Sequence, residues 1–382
     1  MVRGKPDFWL MLILFALVGF GLVMVFSSSY YVAMTHYNDT YYFFKKQLIW
    51  AGFGLLVFFI TANISYQLYR KYIAYILFGS WIALLLVFIP GLGSKINGAD
   101  RWVQLGFFSF QPSEVAKVAA LIYTASIMAK KQEHLDNFRK GLLPPLIVIG
   151  LFCFLIVIQP HYSSTVILLA TCLVIIFCAG ARLKHLTLLA LAGSPVMISV
   201  LLLKSYRLDR LSVLWDPWKD PGDKGYQIIQ SLYAIGPGGL TGAGLGNSIQ
   251  KMAYLPEAHT DFIFSVIAEE LGFFGGASLI LLFVLFIVRG IRIALRAPDM
   301  FGMLLGVGII TLFSVQAIFN LGVVTALLPV TGVPLPFISY GGSSLLLNLF
   351  TAGILLNISR YRQQAQSKQK KKEEQPSPVT WV

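Results

Sequence analysis

The sequence predicts an all-α polytopic membrane protein of about ten transmembrane helices, with one large extracytoplasmic loop between helices seven and eight. Three observations carry that expectation. Hydrophobic residues make up 57% of the 382 positions and charged residues only 12%, too little charge to cover a soluble domain of this length. The mean hydropathy is +0.73. Apolar runs recur near 8–30, 48–65, 72–90, 113–129, 143–159, 163–181, 183–203, 262–288, 302–327 and 341–358, each close to the ~20 residues a helix needs to cross hydrocarbon.

The first run follows Arg3 and Lys5, as a signal peptide would. It is longer than a signal core, Ser27-Ser28-Ser29 makes a poor cleavage site, and many spans follow, so it reads as a retained helix. An even number of spans puts both termini on one side, and loop charge selects the side. Segments sharing the side of the termini carry about 19 Lys and Arg, against 10 on the other face. Six of those 10 lie in the long loop, and long loops cross largely regardless of charge. Both termini are therefore expected in the cytoplasm. Residues 1–360 read as one transmembrane domain whose outer loop covers about 204–261. Residues 361–382, rich in Gln, Lys and Glu with Pro376 and Pro378, read as a disordered basic cytoplasmic tail.

A formal charge of +13 in a soluble chain would suggest nucleic acid. Here the basic residues cluster at the ends of apolar runs, the pattern of membrane anchoring. The expected partner is the membrane and not nucleic acid. Cys153, Cys172 and Cys178 all sit inside apolar runs, without disulfide or metal spacing. Five histidines are scattered over separate segments, so no metal site is expected. No internal repeat is apparent, which weighs against transporter folds built from repeated halves.

Three outer segments depart from ordinary loop composition. The first runs from Arg101-Trp102 to Gln111-Pro112-Ser113-Glu114, with Lys117 in the next span. Ser113 is a candidate helix cap. Glu114 and Lys117, three apart, share a helix face. They are either a structural pair near the interface or the polar floor of a binding site, because charge within a membrane needs a partner or a wet cavity.

The second is the long loop, with Arg207, Arg210, Trp215 and Trp218 early and a glycine run from Gly236 to Gly246. That run lacks the Gly-Lys-Ser/Thr ending of a phosphate loop. Its glycines suit tight turns and close approach to a ligand or the membrane surface.

The third, Leu255 to Asp261, leads into span eight. Thr260 could cap that helix, leaving Asp261 in its first turn. The bland account of Asp261 is a complement to the helix dipole, worth about 0.3–1 kcal/mol. The functional account is a base that takes a proton from a membrane-bound alcohol. His259 stands beside it.

Deeper in span eight, at least one of Glu269 and Glu270 must face protein or water. Gln316 and Asn320 form a polar stripe of the kind that glues helices. The proline-stiffened loop from Leu328 to Pro336 is apolar enough to dip into the membrane, and the Gly-Ser run around Ser343 opens span ten as a candidate anion site.

These segments closely resemble the SEDS family of bacterial membrane proteins (shape, elongation, division and sporulation). The resemblance spans nearly the whole chain. It is carried by Arg101-Trp102, Phe110 to Glu114, Tyr254 to Phe264, Glu269-Glu270-Leu271-Gly272 and Leu328 to Ser344. It implies a peptidoglycan glycosyltransferase that polymerises lipid II into β-1,4 glycan strands at the outer face of the plasma membrane. The family's essential aspartate, in a Thr-Asp-Phe motif, falls on Asp261, which the resemblance makes the general base. Trp102 matches a further functional position. Arg101, Gln111, Ser113, Glu114 and Lys117 match polar positions near the cavity.

Arg207, Arg210 and Lys251, or a divalent cation (Mg or Mn) travelling with the lipid pyrophosphate, are candidates to meet the charge of the leaving group. The resemblance also implies a class B penicillin-binding protein as transpeptidase partner. Gly322 to Pro329 looks more like the division branch (with the sporulation branch close by) than the elongation branch, which implies other divisome proteins and a septal location. At His161, where many members have Asp, no cation or substrate role carries over. The alternative class is a lipid II flippase, using Glu114, Lys117, Glu269 and Glu270 as a polar pathway.

Overall fold

The computed structural model describes residues 4–96, 99–105, 108–202 and 213–373. Every apolar run expected to span falls on a helix. In chain order these are α1 (Phe8–Tyr37), α2 (Tyr42–Asn63), the short α3 (Gln67–Lys71), α4 (Ile73–Leu86), α5 (Pro112–Lys130), α6 (Leu143–Ile158), α7 (Tyr162–Cys178) and α8 (Leu183–Leu202). They continue with α9 (Tyr226–Ile235) in the long loop after α8, then α10 (Ile263–Leu295), α11 (Met300–Val324) and α12 (Gly342–Glu373). Six of the helical segments, Phe8–Tyr37, Tyr42–Asn63, Phe138–Ile158, Ile263–Leu295, Met300–Val324 and Gly342–Tyr361, are long and apolar enough to cross a bilayer. Ile73–Leu86 and Tyr162–Cys178 are apolar but shorter. The chain is thus a multi-pass helical membrane protein.

The chain is mostly helical, as expected, with one departure from the all-α class: β1 (Gly93–Ile96), β2 (Ala99–Leu105) and β3 (Phe108–Phe110) form an antiparallel sheet between α4 and α5. Ile96 pairs with Ala99 across the dipeptide Asn97-Gly98, the strongest short-range hairpin signal in a sequence. Arg101 and Trp102 therefore stand on a strand. Helix α12 continues to Glu373, past residue 361, as the straight-chain Gln and Lys residues there favour.

Helices α5, α7 and α11 pack on one another in the middle of the bundle, α1 lies against α2 and α10, and α2 runs along α12. The last contact depends on a residue without a side chain. A Cβ at Gly353 would stand 1.9 Å from the Thr61 hydroxyl, and such small residues let membrane helices approach closely. At the N-terminal end, Asp7 caps α1 through the Leu10 amide (3.0 Å) and receives a bidentate Arg289 from α10 (2.9 and 2.7 Å).

Helix α10 is broken. Gly272 has φ +63° and ψ −159°, a backbone open to glycine and costly for other residues. The glycine run of the long loop before α10 packs into the break. Ala243 and Gly244 donate their amides to the carbonyls of Glu269 and Glu270 (both 2.9 Å). Phe273 and Phe274 donate to the carbonyls of Gly239 and Leu240 (2.9 and 3.2 Å). Backbone groups freed within a bilayer must be satisfied by protein, and the loop does this. Close approach, one of the roles expected of these glycines, is thus to α10: a Cβ at Gly242 would lie 2.2 Å from the Glu270 carbonyl oxygen.

Candidate active site

Asp261 is half-buried and stands just before α10, whose first residue is Ile263. Thr260 does not cap the helix as expected. Its hydroxyl donates to the Glu257 carboxylate at 2.6 Å, within a tight turn where Phe262 donates its amide to the Glu257 carbonyl (3.2 Å). The buried side chain of Phe262 anchors the turn below.

One amide fixes the backbone of the aspartate. Asn320 of α11 is 1% exposed, and its Nδ2 donates to the Asp261 carbonyl (2.7 Å) and the Val333 carbonyl (2.8 Å). The expected interhelical glue thus ties the segment before α10 to the loop after α11. That loop presents Gly332, with φ +65°, where an added Cβ would stand 3.4 Å from Asp261 Oδ2. Gly332 is exposed, so the carboxylate lies beside an accessible stretch of backbone.

The same loop then turns inward. Val333, Leu335, Phe337 and Ile338 are buried, and Phe337 packs on Phe286 and Phe313. The apolar loop expected to dip into lipid enters the protein core instead. Gln47 of α2 holds its far end, donating to the Ser339 carbonyl (3.3 Å) and accepting from the Gly341 amide (3.2 Å). Ser343 follows in the first turn of α12 and is buried.

His259 is half-buried between the rings of Phe43 (4.6 Å between centroids) and Tyr340 (5.6 Å). Burial lowers its pKa, partly countered by the Glu257 charge. It therefore stacks as a neutral ring and shapes the wall behind Asp261.

A second polar group lies at the start of α5 and α7. The Glu114 carboxylate and the Lys117 ammonium meet at 2.7 Å with side chains 7% and 2% exposed. Arg101, on β2, donates to the Pro160 carbonyl at 2.6 Å. His161 Nδ1 faces Gln111 Nε2 (3.3 Å) and Ser113 Oγ (3.0 Å), and its Nε2 faces Ser164 Oγ (3.3 Å). An amide nitrogen is only a donor, so Nδ1 accepts and the proton sits on Nε2. Burial, Arg101 and Lys117 together hold its pKa well below the ordinary imidazole value. Ser113 thus spends its hydroxyl on His161 rather than on a helix cap. Arg101, Gln111, Ser113, Glu114 and Lys117 gather around a histidine to which the sequence assigned no role. Its burial between two spans arises from distant contacts that leave no local signal. Trp102, half-buried, pairs with Ser94 across the sheet.

A bridge joins the two groups: Ser163, at the start of α7, donates its hydroxyl to the Thr331 carbonyl (2.8 Å), next to Gly332. The Thr331 hydroxyl, the Asn320 carbonyl oxygen and His259 Nδ1 are buried polar atoms without a protein hydrogen bond among the described residues.

Lys251 is placed elsewhere than expected. Its ammonium is fully buried against the Glu270 carboxylate, with Ser27 Oγ at 3.4 Å and the Tyr30 ring at 4.7 Å. It cannot meet a leaving pyrophosphate without breaking that pair. Glu269 is equally committed, accepting from Ser248 Oγ (2.5 Å) and the Ile249 amide (2.8 Å). The four charges expected to line a polar pathway are therefore closed in local partnerships. Arg207 and Arg210 lie outside the described residues. Among the described residues no three His, Cys, Asp or Glu side chains group to hold a metal, and Glu114 is taken by Lys117.

Known proteins agree with this architecture. The family model described as a cell cycle protein, FTSW_RODA_SPOVE, matches residues 8–364. Stage V sporulation protein E of Bacillus subtilis is 45% identical over 359 residues, covering 94% of this chain and 98% of the relative. A protein named probable peptidoglycan glycosyltransferase FtsW, from Trichlorobacter lovleyi, is 45% identical over 356 residues and 93% of each chain. A chain from a structure described as a peptidoglycan synthase complex that coordinates polymerization and crosslinking superposes with a TM-score of 0.77 at 30% identity. It is covered to 99%, against 94% of this chain. The Thermus thermophilus rod shape determining protein RodA superposes at 0.69 with 29% identity, over 94% of this chain and 98% of its own. With two polar groups joined across α7 and a glycine loop laid into a broken α10, the chain belongs to the FtsW/RodA/SpoVE, or SEDS, family.

Proposed function

We propose that this chain is a peptidoglycan glycosyltransferase, an inverting lipid II polymerase working at the outer face of the bacterial plasma membrane. The observation that carries the reading is Asp261. Its half-buried carboxylate lies against the exposed backbone of Gly332, held from behind by Asn320 and joined through Ser163 and Thr331 to the group around Arg101. In the reaction the acceptor sugar's 4-hydroxyl gives its proton to the Asp261 carboxylate. The hydroxyl oxygen attacks the anomeric carbon of the lipid-linked glycan, the bond from that carbon to the pyrophosphate oxygen breaks, and undecaprenyl pyrophosphate leaves with the electron pair. A carboxylate at hydrogen-bond distance from a reacting hydroxyl is suited to that transfer.

The leaving group's charge needs cationic donors. Arg101, half-buried on β2, suits that role better than Lys251, while Lys117 is closed in its pair with Glu114. Arg207 and Arg210 remain candidates from the sequence. Ten spans with both termini in the cytoplasm put the Asp261 turn and the long loop on the outer side. Within the family we assign the septal branch, division-type with the sporulation type beside it, because relatives of both names stand at 45% identity. The partner expected is a class B penicillin-binding transpeptidase within a divisome. The solved neighbour described as coupling polymerization to crosslinking supports that reading.

The test is purified protein incubated with lipid II in detergent, with its partner and a divalent salt. Wild type should yield long glycan strands, and Asp261→Asn none while keeping its thermal midpoint. Strand synthesis by Asp261→Asn would remove the aspartate from the mechanism. Lipid movement without strands in the wild type would make the chain a flippase.

A further inference from the structure

We propose that a cavity between α3, α4 and α5 binds the headgroup of an anionic glycerophospholipid, with the phosphodiester held between Arg70 and Lys130. The cavity has a volume of about 360 Å³ and is lined by Arg70, Ile73, Tyr123, Ser126, Ile127 and Lys130. It lies at the opposite end of α5 from Glu114 and Lys117, roughly 20 Å away along the helix, and so is separate from the Asp261 site. The inference does not depend on the function proposed above.

Charge is the first argument. Arg70 stands in the last turn of α3 and Lys130 in the last turn of α5. Two helix ends thus bring one cation each to the same space. Neither forms an ion pair with a carboxylate among the described residues. The guanidinium of Arg70 has the Phe301 ring at 5.8 Å, which fixes its plane without cancelling its charge. Ser126, 9% exposed, adds a hydroxyl to the wall, and Tyr123 adds a phenol. Two uncompensated cations with hydroxyl donors suit a phosphate oxygen.

Shape and surroundings select a lipid over a water-borne phosphate. The remaining walls, Ile73 and Ile127, are apolar. Beside the cavity, Tyr72, which precedes α4, and Tyr75 and Phe78 of α4 face outward with exposures of 47%, 77% and 64%. Aromatic side chains of this kind belong at the level of lipid headgroups and upper acyl chains. Basic pockets between helix ends are the usual binding places of acidic headgroups. A phosphodiester in the cavity would run its acyl chains down the exposed face of α4.

The experiment is native mass spectrometry of the full chain in detergent, titrated separately with phosphatidylglycerol, phosphatidylcholine and inorganic phosphate. Wild type should retain phosphatidylglycerol well above phosphatidylcholine, whose choline offsets the phosphate charge. Arg70→Gln with Lys130→Gln should weaken phosphatidylglycerol about thirtyfold and leave phosphatidylcholine unchanged. Ser126→Phe, which keeps both charges and fills the space, should weaken it as well. Arg139→Gln with Lys140→Gln removes two exposed cations outside the cavity and should change nothing. The proposal falls if either cavity variant binds phosphatidylglycerol like wild type, or if the control pair weakens it equally. It also falls if inorganic phosphate displaces the lipid at equal concentration, which would make the cavity a site for a soluble anion.

Discussion

Replacing Lys251 by Met removes the partner of a carboxylate that has no water to turn to. Glu270 and Lys251 have side-chain exposures of 0% each, and without the ammonium Glu270 keeps one close partner, Ser27 Oγ at 2.5 Å. Breaking a buried ion pair from one side costs roughly 3–5 kcal/mol. An unfolding entropy of about 2.1 cal/mol/K per residue over 382 residues turns that cost into a midpoint lowered by about 4–6 °C. The double variant Lys251→Met/Glu270→Met replaces the pair with apolar groups of similar length, a change that is often neutral or better, so it should recover most of the loss. The assay is a thermal melt in detergent, run beside lipid II polymerisation well below the midpoint, where Lys251→Met should keep most of its activity. An unchanged midpoint with abolished polymerisation would refute the structural assignment and return Lys251 to the pyrophosphate.

Three further outcomes can be checked on the same preparation. Asn320→Ala frees the Asp261 and Val333 carbonyls and should lower kcat by about 10²-fold, the scale of a misplacement near 1 Å, with little change in KM; equal kcat would separate Asn320 from the aspartate. Folded His161 is held neutral with its pKa below the unfolded value of about 6.5, so the unfolded chain binds more protons below that pH. The thermal midpoint should hold above pH ~6.5 and fall progressively as pH drops below it; His161→Asn should flatten this slope, and an equal slope in the variant would assign it to other groups. Gly272→Ala meets both a positive φ and a Gly242 nitrogen 2.4 Å from the new Cβ and should prevent stable assembly, whereas Gly150→Ala, with nothing within 4 Å, should be neutral to slightly stabilising by melt.

Lipid makes spans legible, because a helix in hydrocarbon must be apolar along its length, and each expected run met a helix. The outer motifs were legible for a related reason. Polar residues such as Arg101, Glu114 and Asp261 are costly near a membrane and stand out against an apolar background. The sheet was readable too, in Asn97-Gly98, but a hairpin signal between two membrane spans is easily taken for a plain loop. Other features depend on distance in sequence. The break at Gly272 interrupts no apolar periodicity, and the loop that heals it lies about thirty residues earlier. A loop lysine looks like a solvent cation until Glu270 and Ser27 are placed around it. His161 acquires its surroundings from β2, α5 and α7 together, which no window of sequence contains.

The split in α10 has a practical consequence for handling this protein. The helix lends four backbone bonds to residues 239–244 and borrows stability in return, so the long loop behaves mechanically as part of the bundle rather than as a surface tether. An epitope or fluorescent insertion there would strip carbonyls and amides inside an apolar setting, each costing about 1–3 kcal/mol, and would disturb the short helical stub that ends at the aspartate. Labels belong instead at Pro221-Gly222, which are exposed and stand clear of the break in α10.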